Sequence, residues 1–198
     1  MGASGWSYFV PYQEDAARAL EQLQHRVFVE ENYSDTWLYD CIPNIYWDDL
    51  NKVWGNLHRS WVQAAGYERS WQGFAQAGLE ELARVLAAKQ IDVVLPKPPQ
   101  TIEELLLRYD SGGTHSILDI ISIAEQPGFR MATSLSREEC LTLLGTEKPT
   151  RARAELALTV CGKPGEKSLH DIRGRYQAAY FTVYKNDRPD EICFCGNS

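Results

Sequence analysis

Residues 6–12, WSYFVPY, form an aromatic and β-branched run that predicts a strand, and Pro11 marks it as an edge strand or the place where it stops. Past Glu14 and Asp15 the period lengthens. Ala16, Leu20, Leu23 and Val27 recur at 4-3-4 spacing, the single apolar stripe of a helix lying on a core. Trp47, Trp54 and Trp61 then stand seven apart, with Leu50 and Leu57 between them and Ala64 continuing the series. That narrow seam suits two helices packed side by side, and Phe74, Leu79, Leu82, Val85 and Leu86 supply the second.

Residues 91–95 are a candidate short strand. Thr101 and Glu104 have capping-box spacing at the start of a helix over 102–109, and Ser136 with Glu139 repeats the device ahead of a helix that stops at Gly145. Pro149-Thr150 introduces another helix, ending at Gly162. The run THSILDIISIA, 114–124, reads as a strand, and residues 177–184 and 191–195 read as a closing hairpin joined through Asn186, Asp187, Arg188 and Pro189. The expectation is an α+β fold: a small, mainly antiparallel sheet of about four strands, packed by helices. Residues 1–198 are expected to make a single domain, with 33–98 a loop and Trp-rich helical hairpin inserted within it.

Size and composition agree with one globular unit. The chain has 198 residues, 44% of them hydrophobic and 24% charged, so it can bury a core without staples. Its five cysteines have no framework spacing, which fits a reducing cytoplasm. The N-terminal stretch lacks the basic and apolar regions of a secretory signal, and no apolar run is long enough to cross a bilayer. A formal net charge of -7 argues against a nucleic-acid ligand, because neutralising phosphates requires a basic face.

Where the charge lies matters more than its sum. Residues 30–49, EENYSDTWLYDCIPNIYWDD, hold six carboxylates, three tyrosines and two tryptophans, and no lysine or arginine. Such a segment either meets something cationic or folds onto basic parts of its own chain. The binding candidates are Asp35, Trp37, Tyr39, Asp40, Tyr46, Trp47, Asp48 and Asp49, with carboxylates for attraction and rings for contact area or a cation cage. The tryptophan seam itself fits a core equally well.

No motif names a reaction. The catalytic candidates are His115, Ser116 and Asp119, which follow Gly112-Gly113 at the entrance of the expected strand. Glycines there allow close backbone approach, and His115 is the histidine suited to proton transfer near neutral pH. On a strand, however, His115 and Asp119 would share a face roughly 13 Å apart at ~3.3 Å per residue, and Ser116 would point to the other face. That excludes a triad from this segment alone, so a turn-and-strand structural role competes with catalysis. Cys193 and Cys195 would face one side of the last strand, but no second Cys/His pair stands at zinc spacing, so no metal and no cofactor is expected.

The order of WSYFVPYQEDAARALEQL, TIEELL, GTHSILDI, LGTEKPTRA and PDEICFCG resembles an uncharacterised family of small bacterial proteins. Those proteins are framed by a W-x-Y-x-V-P-Y strand, a GTHSILDI segment and a C-terminal hairpin. The likeness covers roughly residues 5–32 and 100–198 and omits the tryptophan-rich middle. It implies a bacterial cytosolic protein with an α+β fold, and no activity or catalytic residue. Two readings follow. The first is a non-enzymatic binding protein of the cytoplasm, an acidic inhibitor or immunity-type protein whose partner is a basic protein or cationic ligand. The alternative is a small biosynthetic or hydrolytic enzyme with His115 as general acid/base.

Overall fold

In a computed structural model of the chain, the structure describes residues 5–30, 99–108, 113–159, 168–170 and 172–197, with a few positions between 80 and 88. Apart from those few positions, the expected insertion over 33–98 lies outside the described residues, as do its tryptophan seam, the short strand at 91–95 and all eight acidic-aromatic binding candidates.

Strand β1 (Gly5–Pro11) opens the chain and helix α1 (Ala16–Val29) follows it. Asp15 caps that helix: one carboxylate oxygen accepts the amides of Ala17 at 2.9 Å and Arg18 at 3.1 Å. The predicted stripe is the buried one, with Leu20, Leu23 and Val27 each 1–2% exposed. Each such side chain contributes ~1.5–3 kcal/mol on burial. Helix α2 (Ile102–Arg108) begins at the predicted cap, where Thr101 Oγ1 accepts the Glu104 amide at 3.1 Å. The reciprocal arm differs: the Glu104 carboxylate takes the amide of Gln100, one residue before the threonine.

Strands β2 (Ser122–Ala124) and β3 (Met131–Ser134) are short. Helix α3 (Arg137–Leu144) carries the complete Ser136/Glu139 capping box and ends at Gly145, whose φ of 69° supplies the left-handed stop. Helix α4 (Arg151–Thr159) follows, and Arg153 donates from Nε to the Leu144 carbonyl at 2.6 Å, satisfying an acceptor at the end of α3. Strands β4 (Gln177–Lys185) and β5 (Arg188–Asn197) form the hairpin, longer at both ends than the sequence suggested. Its turn is Asn186-Asp187, both at positive φ (51° and 62°), the backbone signature that matches the twist of paired strands.

The sheet has five strands in the order β1-β5-β4-β3-β2. The long pairings, β1 with β5 and β5 with β4, are antiparallel, while β2–β3 and β3–β4 are short and parallel. Two expectations are corrected. The described residues form five strands rather than about four, because β3 carries too few residues to show a period. The strand expected over 114–124 shrinks to Ser122–Ala124, preceded by a 3-10 turn at Ile117–Asp119. Ser116 causes the difference: its hydroxyl accepts the Leu118 amide at 3.2 Å and opens a helical turn where apolar content alone suggested extended chain.

Alternation along the strands divides the core. Trp6, Val10, Ala178, Ile192 and Phe194 face α1, α2 and the 3-10 turn. Ala179, Phe181, Val183, Cys193 and Cys195 face α3, α4 and Leu169. The second layer is pinned by Arg173, itself only 9% exposed. Its guanidinium grips Glu139 through both carboxylate oxygens at 2.5 and 3.0 Å and donates to Thr133 Oγ1 at 2.7 Å.

That grip holds the Glu139 carboxyl down at about 2, from a usual 4.5. A depressed folded-state value means the stabilisation is complete above the unfolded value and lost as pH falls between the two. Urea midpoints should therefore drop between about pH 4.5 and about pH 2. In Glu139→Gln the drop over that window should be visibly smaller. Parallel pH profiles for the two proteins would contradict this assignment.

Candidate functional site

The sequence-predicted catalytic residues come together, but in a knot rather than along a strand. Thr114, Ser116 and Asp119 are buried, with 0–1% of their surface exposed. One Asp119 carboxylate oxygen accepts the Thr114 amide at 2.6 Å, which folds residues 114–119 back on themselves. The Thr114 and Ser116 hydroxyls share a hydrogen bond at 2.8 Å, and Ser116 also caps the 3-10 turn. The second carboxylate oxygen, Oδ2, is buried without a hydrogen-bond partner among the described residues. It lies under Gly113, where a Cβ would stand 3.0 Å from Oδ2 and 2.6 Å from Cε1 of Tyr176. With φ at 65°, Gly113 is glycine for two reasons, backbone conformation and space.

Three other residues adopt left-handed backbone at this end of the sheet: His115 (φ 51°), Arg130 (φ 60°) and Tyr176 (φ 60°). Their bonds interlock. The Arg130 amide donates to the Tyr176 carbonyl at 2.7 Å, the Ile121 amide to the Arg130 carbonyl at 2.6 Å, and Arg130 Nε to the Asp119 carbonyl at 2.9 Å. The knot thereby sets where β2, β3 and β4 begin. Tyr8 reaches it from β1: burial, foremost, pushes its phenol up to about 12, opposed by the Ile117 amide and the Ser116 hydroxyl.

The Ser116 hydroxyl is buried and engaged with Thr114 and Leu118, and the Asp119 carboxylate orders backbone. His115 is half-buried beside them on a separate left-handed residue. Cys193 and Cys195 do share a face, but inside the core. Burial, then the neighbouring Cys195 thiol, pushes Cys193 well up, and Cys195 donates to the Leu169 carbonyl at 3.6 Å. Among the described residues no group of three or more His, Cys, Asp or Glu side chains could hold a metal ion. None of their helices is long and apolar enough to cross a membrane.

An open groove of about 950 Å³ runs between α1 and α2. Ile102, Leu106, Ile120 and Ile121 provide apolar lining, and Glu21, His25 and Glu103 are among its polar groups. Ile121 is 62% exposed and Leu107, also in the groove, 82%. Sequence reasoning passed over this site, although Arg18, Glu21, Gln22 and His25 recur at i, i+3, i+4 and i+7 on one flank of α1. Their polarity made that flank look like ordinary solvated surface.

No protein-family model, curated protein or solved structure matches the chain.

Because Asp119 holds the turn closed, Asp119→Ala should lower stability by ~1–3 kcal/mol, the cost of leaving the buried Thr114 amide without its acceptor. Urea unfolding measures it, and curves that overlay the parent protein would show that the bond contributes nothing.

Proposed function

We propose that the chain is a non-enzymatic binding protein that takes a basic protein or another cationic ligand, acting as an acidic inhibitor or immunity-type protein in a bacterial cytosol. One observation carries the choice of class: Ser116 and Asp119, which a catalytic reading would use with His115, are buried with Thr114 and committed to holding a turn. The open groove between α1 and α2 supports a binding role through its exposed apolar area, while its Glu21 and Glu103 carboxylates are matched by the Arg18 and Arg130 guanidiniums. The acidic run continues in the chain directly from the end of α1, at Glu30 and Glu31. Carboxylates there would steer the encounter, and rings and aliphatic groups would supply the contact area.

A second reading keeps one supporting observation. His115 is a non-glycine residue with left-handed backbone, and strain of that kind gathers at functional sites. An enzyme using His115 as general acid/base would lose ~10²–10⁴ in rate without the imidazole. On the binding reading, His115→Gln leaves biological activity intact and lowers stability modestly. A variant that folds with parental stability and loses all activity would restore the enzyme.

The binding reading is tested through charge. Asp35, Asp40, Asp48 and Asp49 changed together to Asn should slow association with a basic partner by roughly tenfold or more at low salt. The difference should shrink as salt rises, since the Debye length is only ~8 Å at 0.15 M. Stopped-flow rates that are equal at low salt would remove the acidic segment from the interaction.

A further inference from the structure

We infer that β1 is the seam of a two-fold homodimer, in which two copies pair antiparallel through their free strand edges. β1 ends the sheet order, and no described strand pairs with its other side. Which backbone groups lie on that side follows from the register. The Tyr12 amide donates to the Asp190 carbonyl at 2.9 Å, so Tyr12 and Asp190 form a hydrogen-bonded antiparallel pair. Such pairs alternate with non-bonded ones. Trp6, Tyr8 and Val10 therefore bond to β5, while Gly5, Ser7, Phe9 and Pro11 direct their backbone groups outward. Pro11, which has no amide hydrogen, occupies an outward position as this parity requires.

The outward set is self-complementary about Ser7. In an antiparallel pairing centred there, Ser7 meets Ser7 of the second copy and Gly5 meets Phe9. Every outward amide and carbonyl of those residues finds a partner, and the pairing ends short of Pro11. Side chains fit the same register. The Ser7 side chain is small and exposed, Gly5 sets no side chain of its own against Phe9, and Trp6 would stand across from Tyr8. Charge argues for a second copy as well. GWSYFVP carries none of the chain's charged residues, so the strand itself sets no like charges against each other when two proteins of net charge -7 meet there. Nor does the edge carry the lysine or inward charge that commonly guards one, whereas the opposite edge strand, β2, is only three residues long. A seam this short buries less than a standard interface, so the dimer forms at about micromolar concentration or above.

Analytical ultracentrifugation over a roughly 100-fold concentration range should show a reversible monomer–dimer equilibrium. Amide exchange followed by NMR should report the parity. Tyr8 and Val10 stay protected at every concentration, while Ser7 and Phe9 exchange fast when dilute and slow at least about tenfold when concentrated. Ser7→Pro removes an outward donor and no bond to β5, and should abolish the dimer. Ser7→Lys, which places two ammonium groups at the two-fold axis, should do so without any demand on the backbone. A chain monomeric across the range, unchanged exchange at Ser7 and Phe9, or a dimer that survives Ser7→Lys would each overturn the inference.

Discussion

The structure depends on β5 being paired along both sides. It bonds to β1 over seven residues and to β4 over nine, and its alternate side chains feed two cores at once. Ile192 and Phe194 go to the layer under α1, Cys193 and Cys195 to the layer under α3 and α4. A strand buried on both faces has no polar face to spare, which is why ICFC reads as an unbroken apolar run. A slip of one residue would exchange the two layers, sending Phe194 toward the helices that the cysteines now meet. β1 and β5, far apart in sequence, are thereby held side by side, and β4 joins them on the other side of β5.

The smaller half of the sheet is held by a different device. β2 and β3 are too short to secure their own register by side-chain burial, and backbone bonds among Ile121, Arg130, Tyr176 and Asp119 locate them instead. Left-handed residues make those bonds possible by reversing the chain within one or two positions. The cost of such conformations, ~1–3 kcal/mol each, is offset by buried hydrogen bonds that no extended chain could make. On the opposite face, Arg173 joins α3 to β3 in the same manner, with a charged fork rather than amides.

Polar groups are thus distributed unevenly with respect to function. Thr114, Ser116 and Asp119 are turned inward and hold the 114–119 turn. The groove between α1 and α2 instead leaves isoleucine and leucine side chains in contact with solvent beside carboxylates.

Much of the larger architecture is local in origin and legible along the chain. The stripe of α1, the caps at Thr101 and Ser136, the stop at Gly145, the edge character of β1 and the hairpin at Asn186-Asp187 each depend on residues a few positions apart. The α+β class and the shared face of Cys193 and Cys195 follow from the same periods. The 114–119 knot does not, since THSILDI has strand composition, and only the closure of Asp119 onto Thr114 and the support of Tyr176 and Arg130 from distant segments turn it into a loop. Nor do the parallel placement of β3 and the groove, which arise where α1 and α2 meet across the chain. Local periodicity records which face of an element is buried; it holds no record of which distant backbone will accept its hydrogen bonds, and here those bonds decided the site.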